Sequence, residues 1–319
     1  MTASSVRAGG RSEPRGPGAL ATGVASALMF AGALGLPLLA PLSVIAPFPL
    51  ILQRLHRGPM SAVGAALLAT LLVGAASSEG VAIGFALTLA APGLLVGDTL
   101  ARGRGLLKGC QRAFGWLALQ IGLALLFAGP QLAQALLAPL DEFRSATFLD
   151  RLRASGVAPE QVEALGEQFG ALKTALEVVY PAVFLIVAAL LVLVNAALVR
   201  AYLLRRDPAW LEGGEFEGLR WGVGMAAGFV ASGLLVALPP TRGLGYNSLL
   251  LVAFFLALQG LAVVSFYAQR LAGPPLLRAA LVVLVLVNPW APQLLALVGL
   301  FDTWLDFRKW AEPPAGEQD

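Results

Sequence analysis

The residues with the clearest potential for chemistry lie near the end of the chain. Asp302 and Asp306 are four positions apart, so a helix would place both carboxylates on one face. Trp304 lies between them and Arg308 follows. Because carboxylates are costly in the hydrocarbon core of a membrane, we expect this C-terminal motif at the edge of an apolar region, paired with arginines of nearby loops. Arg270 or Arg278 could be such a partner.

Other kinds of reactive site are scarce in this sequence. Cys110 is the only cysteine and His56 the only histidine, so a thiol redox pair, a cysteine metal site and an HExxH site are excluded. No charged residue lies deep in the apolar segments that precede the C-terminal motif, whereas proton pumps and intramembrane hydrolases need such groups. The sequence therefore predicts a protein that is not an enzyme and has neither metal nor cofactor.

A second set of candidates is uncharged. Tyrosine, asparagine and tryptophan side chains recur at matching depth, next to the predicted outer ends of apolar segments. They are Tyr180, Tyr246, Asn247, Asn288 and Trp290. Ligand pockets are concave and mostly apolar with a few polar groups, so these residues predict an outer small-molecule pocket. The alternative is that they anchor helix ends and form turns.

The composition indicates an all-α membrane protein. Hydrophobic residues make up 58% of the 319 residues and charged residues 13%, and the mean hydropathy is +0.78. A soluble domain carries about 25% charged residues, so a surface this apolar needs lipid around it. Since a helix crosses a bilayer with roughly 20 apolar residues, the sequence predicts a polytopic transmembrane bundle of about eight or nine spans.

One long hydrophilic segment, residues 131–177, divides the apolar sequence. After Pro159 its apolar residues recur every three or four positions, which predicts a helical hairpin. Arginines occupy alternate loops, so the positive-inside rule places the N-terminus in the cytoplasm and the hairpin outside. The predicted order is a disordered cytoplasmic tail (1–18), an N-terminal membrane half (19–130), the extracytoplasmic hairpin (131–177), a C-terminal membrane half (178–310) and a short tail (311–319).

Prolines interrupt the apolar sequence near both ends of the chain. Four of them lie in the turn after the first predicted span and in the short second span, which predicts a kinked or partly unwound hairpin. These are Pro37, Pro41, Pro47 and Pro49. The last apolar run, residues 275–305, is broken between Asn288 and Pro292, which predicts two half-helices that return the C-terminus to the cytoplasmic face.

Small residues recur every four positions in the first predicted span. They are Gly23, Ala27, Ala31 and Gly35. Such a ridge lets helices approach closely in lipid. It either packs inside the protein or docks another membrane protein.

The ending Asp302-Thr303-Trp304-Leu305-Asp306-Phe307-Arg308, with the many spans, the basic N-terminus and the external insertion, resembles the YybS-like family of uncharacterised bacterial membrane proteins. That family is distantly similar to the substrate-binding S components of energy-coupling-factor transporters. The resemblance implies an outward-opening pocket and a first helix that docks a partner. The first hypothesis is therefore a small-molecule binding or uptake component of the bacterial inner membrane. The alternative is a non-transporting scaffold of envelope complexes.

Overall fold

The computed structural model describes residues 18–211, 216–270, 288 and 290–311. Apart from Gly18 and Ala311, the two predicted tails lie outside these residues. So do Arg278 and the predicted half-helix before Asn288. The described residues contain twelve α-helices and no strand, which confirms the all-α prediction.

The α-helices follow one another along the chain with short connections. They are α1 (Ala19–Gly35), α2 (Ala40–Val44), α3 (Pro47–Arg57), α4 (Pro59–Ala76), α5 (Glu79–Phe85), α6 (Ala91–Ala101), α7 (Leu106–Phe143), α8 (Ala146–Ala154), α9 (Pro159–Arg206), α10 (Val223–Ala237), α11 (Arg242–Arg270) and α12 (Ala291–Leu305). A π-helical turn, Ala86–Ala90, joins α5 to α6. Short 3₁₀-helices lie at Pro37–Leu39, Pro208–Leu211, Phe216–Gly218, Pro239–Thr241 and Phe307–Ala311.

Five helical runs of the described chain are long and apolar enough to cross a membrane. They are Pro59–Ala76, Glu79–Ala101, Leu106–Ala154, Pro159–Arg206 and Pro239–Arg270. A sixth is counted if α10 and the 3₁₀-helices before it form one bent span. The helices α1 and α12 are apolar but shorter, and the prediction of eight or nine spans counted such short segments as full crossings.

Contacts divide the chain into two compact units. Unit 1 comprises Met1–Leu119 and Ala188–Gly214, and unit 2 comprises Gln120–Val187 and Glu215–Asp319. The helices α7 and α9 each contribute residues to both units, so the division does not follow sequence order. The domain boundaries predicted at 130 and 177 stay predictions.

In unit 1, α1 packs closely on α4. A Cβ built on Gly23 would lie 2.7 Å from the carbonyl oxygen of Ala65, so only glycine allows this approach. Ala27, Val73 and Phe85 belong to the buried core behind it. After α1 the chain passes through a 3₁₀-turn and α2 before α3 begins at Pro47, which confirms the predicted broken hairpin.

In unit 2, α11 packs along α12 at a crossing made by glycines. A Cβ on Gly260 would overlap the carbonyl of Leu295, and a Cβ on Gly299 would overlap the carbonyl of Leu256. Backbone atoms therefore touch where side chains usually separate helices. Helix α11 also packs closely on α10, because a Cβ on Gly245 would overlap backbone atoms of α10.

The hydrophilic segment 131–177 is helical throughout most of its length. Helix α7 extends into it as far as Phe143, with a non-helical residue at Ala128 that bends it before Pro130. The ring of Phe143 stacks on Phe169 of α9 at 5.4 Å. An ion pair between Lys173 and Asp141, at 2.6 Å, joins the same two helices. The segment thus forms a helical hairpin in which α8 is the short middle element.

Candidate functional site

The C-terminal motif forms a buried ionic cluster. Asp302 has no exposed surface, although it lies in the last turn of an apolar helix. Its Oδ2 accepts hydrogen bonds from Arg308 Nη1 and from Gln259 Nε2, both at 2.8 Å. Its Oδ1 accepts a bond from the backbone N–H of Phe307 at 3.2 Å. A buried carboxylate is tolerated only when paired and hydrogen-bonded, and both conditions are met here.

A second carboxylate extends this cluster toward the surface. Asp306 ends α12 with a left-handed backbone (φ 46°) and pairs with Arg220 at 2.9 Å and Lys309 at 3.2 Å. Burial raises the pKa of Asp306, but hydrogen bonds from Lys309 and Arg220 outweigh burial and hold that pKa below its ordinary value. The prediction that Arg270 pairs with these carboxylates is wrong, since its guanidinium instead covers the Phe266 ring at 3.5 Å.

The cluster fastens Phe307 and Arg308 to the helices and the loop beside them. Arg308 Nη2 donates to the carbonyl of Leu219, and Tyr267 donates its hydroxyl to the carbonyl of Phe307. The amide of Gln259 also accepts from the backbone N–H of Trp221 at 2.8 Å. Because both carboxylate oxygens of Asp302 already accept hydrogen bonds from protein groups, this cluster is a structural clasp. Trp304 takes no part in it and is 56% exposed.

The break between α2 and α3 places backbone carbonyls inside unit 1. Ser26 donates its hydroxyl to the carbonyl of Ala46 at 2.7 Å, and Asn195 donates to the carbonyl of Val44 at 2.7 Å. The N–H of Phe48 bonds to the carbonyl of Ile45 instead of continuing the regular helical pattern to Val44. Non-helical backbone at membrane depth is found where it is buried in protein or lines a cavity.

A small cavity lies beside this break. Its volume is about 10 Å³, roughly the space of one water molecule. Pro47 and Asn195 line it together with Pro92, Gly93 and Ala113. Its wall thus combines the first residue of α3 with the start of α6, which follows the π-helical turn.

Asn195 carries an unsatisfied polar atom at this cavity. The residue is 3% exposed, and its Oδ1 has no hydrogen-bond partner among the described residues. The orientation of the amide is fixed, because its Nδ2 donates to two carbonyls, those of Val44 and Leu191, at 2.7 and 2.9 Å. The oxygen that remains requires a donor, and leaving it without one costs about 1–3 kcal/mol.

Other polar side chains of unit 1 bond to one another. Thr22 donates to Gln53 Oε1 at 2.9 Å, and Gln53 Nε2 donates to Ser61 at 2.6 Å. These bonds link α1, α3 and α4. They contrast with Asn195, which the sequence showed only as one of a few amides in apolar helices.

The residues of the predicted outer pocket have mostly structural contacts. Asn247 accepts from the N–H of Ala182 and donates to the carbonyls of Val178 and Gly243, so its side chain fastens α11 to α9. Asn288 accepts from the N–H of Trp290 in the turn before α12.

Three aromatic side chains complete this set, of which Trp290 is 68% exposed. Tyr246 is 41% exposed, and the hydroxyl of Tyr180 lies beside Gly129 near the bend in α7. The cavity at Asn195 is lined by other residues. A ligand pocket at these five positions stays a prediction.

The small residues predicted to dock a partner have different environments. Gly23 and Ala27 are buried within unit 1, Gly23 against α4 and Ala27 in the core. Ala31 is half-buried, and Gly35 is exposed, with open space where a Cβ would lie. The internal alternative therefore accounts for the first two positions. Across the described ranges 18–211, 216–270 and 290–311, no three His, Cys, Asp or Glu residues are grouped to hold a metal ion.

A comparison with protein families found one description that fits this architecture. The family described as "Predicted membrane protein (DUF2232)" matches residues 23–303, from α1 to the last turn of α12. The comparisons with curated proteins and with solved structures found no match. The matched range covers most of the chain and includes the five helical runs of the described chain that are long and apolar enough to span a membrane. The chain therefore belongs to the DUF2232 family of membrane proteins.

Proposed function

We propose that this protein is a membrane-embedded component that binds a small molecule, for uptake, at the helix break of unit 1. The observation that supports this function is the buried Asn195 Oδ1, which lacks a donor in a residue that lines a cavity. Discontinuous helices with exposed carbonyls and short half-helices form the substrate sites of many transporters. The junction of α2 and α3 is such a helix break, and its carbonyls at Val44 and Ala46 accept hydrogen bonds from Asn195 and Ser26.

Binding of anything larger than water requires the break to move. The cavity has a volume of about 10 Å³, whereas pockets for drug-sized ligands measure about 300–1,000 Å³. Two irregular stretches border the cavity, the residues Ile45 and Ala46 before α3 and the π-helical turn before Pro92. Such stretches absorb backbone rotation more readily than regular helix, so they are suitable hinges.

We extend the same proposal to the protein's similarity to transporter S components and to its membrane location. The C-terminal motif that resembles the YybS-like proteins forms a clasp, and the fold is a helical membrane bundle, both of which agree with a protein similar to transporter S components. The basic loops favour the bacterial inner membrane with a cytoplasmic N-terminus. No catalytic role is proposed, because the buried charges of the clasp are paired with one another.

Native mass spectrometry of the full-length protein, released from native lipid, tests the function. A co-purified small molecule should be retained by the unmodified protein. Ala113→Val adds two methyl groups to the cavity wall without touching the Asn195 hydrogen bonds. Because overpacking costs about 1–3 kcal/mol, the ligand should bind less tightly and its occupancy should fall about tenfold. Ala197→Val, the same change at an exposed position of α9, is the matched control and should retain the ligand.

The alternative function gives a different result in the same experiment. A scaffold would co-purify with a stoichiometric protein partner and no small molecule, and the two valine variants would behave alike. That outcome would refute the binding function.

A further inference from the structure

One end of unit 1 carries a concentrated positive charge. It comprises the last turns of α3, α6 and α9, the loop after α6 and the first turns of α7. Nine basic residues lie there: Arg54, Arg57, Arg102, Arg104, Lys108, Arg112, Arg200, Arg205 and Arg206. Among the described residues of this end the acids are Asp98 and Asp207, which leaves these residues with an excess of seven positive charges.

Contacts bring these helix ends together. Arg54 of α3 pairs with Asp98 of α6 at 2.8 Å. The ring of His56 in α3 lies 6.0 Å from that of Tyr202 in α9, edge to face. The charges therefore share one surface, and their mutual repulsion favours an anion there.

Two arginines of this surface are held in fixed positions by adjacent residues of one helical turn. Arg102 contacts Asp98 through Nε at 2.7 Å and Nη2 at 3.3 Å. Arg112 donates from Nη1 to the hydroxyl of Thr99 at 3.1 Å. Thr99 is fully buried and donates its own proton to the carbonyl of Leu95, so its oxygen is fixed as an acceptor.

Both arginines still present donors to the surface. The Arg102 side chain is 59% exposed, and Arg112 is exposed as well. Asp98 does not neutralise this pair, because its single negative charge is shared between Arg54 and Arg102. Each guanidinium has five N–H donors in a planar fork that matches phosphate geometry, and the bonds described occupy only one or two of them.

We propose that Arg102 and Arg112 form a clamp for the phosphate of an anionic phospholipid headgroup. Arg104, in the exposed loop between them, and Lys108 add charge beside the clamp. A lipid is favoured over a soluble phosphate because the clamp lies at the ends of membrane-spanning helices, where headgroups are concentrated. This binding is independent of any ligand at Asn195.

The test uses the full chain in phosphatidylcholine nanodiscs, with phosphatidylglycerol as the anionic probe. Phosphatidylglycerol should raise the thermal unfolding midpoint and remain bound in native mass spectrometry. Arg102→Gln combined with Arg112→Gln should weaken its binding about 25-fold, since each basic residue near a membrane surface contributes about fivefold. High salt should weaken it in the same direction.

Two further variants separate the clamp from general charge. Arg151→Gln combined with Arg153→Gln removes the same charge from α8 and should change phosphatidylglycerol binding less than about twofold. Thr99→Val keeps the charge and the side-chain volume but releases Arg112, so binding should weaken about fivefold.

Three results would overturn the clamp. The first is equal binding of phosphatidylcholine and phosphatidylglycerol. The second is an equal loss in the α8 control and the clamp variant. The third is an equal stabilisation by inorganic phosphate, which would make the ligand a soluble anion. If the double clamp variant does not fold, Thr99→Val decides alone, and wild-type affinity in that variant refutes the clamp.

Discussion

Asp302 and Arg308 form an ion pair of 2.8 Å in which the carboxylate is completely buried and the arginine is 8% exposed. The two residues are six positions apart, on either side of the left-handed turn at Asp306. The turn brings the guanidinium back onto the helix that carries the carboxylate. The short 3₁₀-helix Phe307–Ala311 is thereby held against α11 and α12.

Breaking this pair should be strongly destabilising. Asp302→Asn leaves Arg308 as a buried cation without a counter-charge, so the free energy of unfolding should fall by about 3–5 kcal/mol. Arg308→Gln should have a similar effect, and the double variant should cost less than the sum of both. Unfolding titrations in mixed micelles measure the three values.

An exposed ion pair provides the control for that cycle. Arg153 pairs with Asp150 in α8, and both side chains are more than half exposed. Arg153→Gln should therefore cost less than about 1 kcal/mol. If the losses of unfolding free energy at Asp302 and Arg308 were additive, the two residues would act separately and would not form a clasp.

The glycine crossing between α11 and α12 should tolerate no side chain. Gly260→Ala and Gly299→Ala each place a methyl group on a backbone carbonyl, so each should lower the free energy of unfolding by about 1–3 kcal/mol or more. Gly233→Ala in α10, where the new methyl group would meet nothing within 4 Å, should be neutral or slightly stabilising. Equal thermal stability of all three variants would contradict the crossing.

Acid should weaken the clasp through Asp306. Its pKa is lowered in the folded protein, so the stability it contributes is fully present above the unfolded value of about 3.9. That contribution is lost as the pH falls through the lower, folded value. Asparagine tolerates the left-handed backbone at this position. Asp306→Asn should therefore reduce the pH dependence of the unfolding midpoint below about pH 4. An unchanged slope in this variant would exclude Asp306 as the titrating group.

Much of the fold follows from the sequence because apolar length and periodicity are local properties. The all-α class, the broken hairpin after α1 and the helix that begins at Pro159 all follow from such patterns. The grouping into units was not predictable, because α7 and α9 each contribute to both units and contacts between distant residues decide this.

The site was less accessible to sequence reasoning. The C-terminal motif indicated paired carboxylates, but their partners Arg220 and Gln259 lie 82 and 43 positions from Asp302, and no local pattern joins them. Asn195 was visible as an amide in an apolar helix. Only the structure shows that its Oδ1 lacks a donor, because the amide nitrogen Nδ2 donates to the carbonyls of Val44 and Leu191.

The membrane orientation gives a further prediction. With Cys110→Ala as background, Ala154→Cys in the hairpin should react with an impermeant thiol reagent in intact cells, because this position is exposed and predicted to lie outside. Arg104→Cys, also exposed, should react only after permeabilisation. A fluorescent protein fused after Asp319 should fluoresce from the cytoplasm. The reversed labelling pattern would overturn the orientation.

The central claim is that Asn195 Oδ1 is a ligand-binding atom. The most direct measurement is a cryo-electron microscopy map of the full-length protein in native lipid. The proposed function predicts non-protein density larger than one water molecule within about 3.2 Å of Asn195 Oδ1, and its loss in Ala113→Val. A map in which the same oxygen is bonded to a protein group, with the α2–α3 break closed and the cavity filled by side chains, would contradict it.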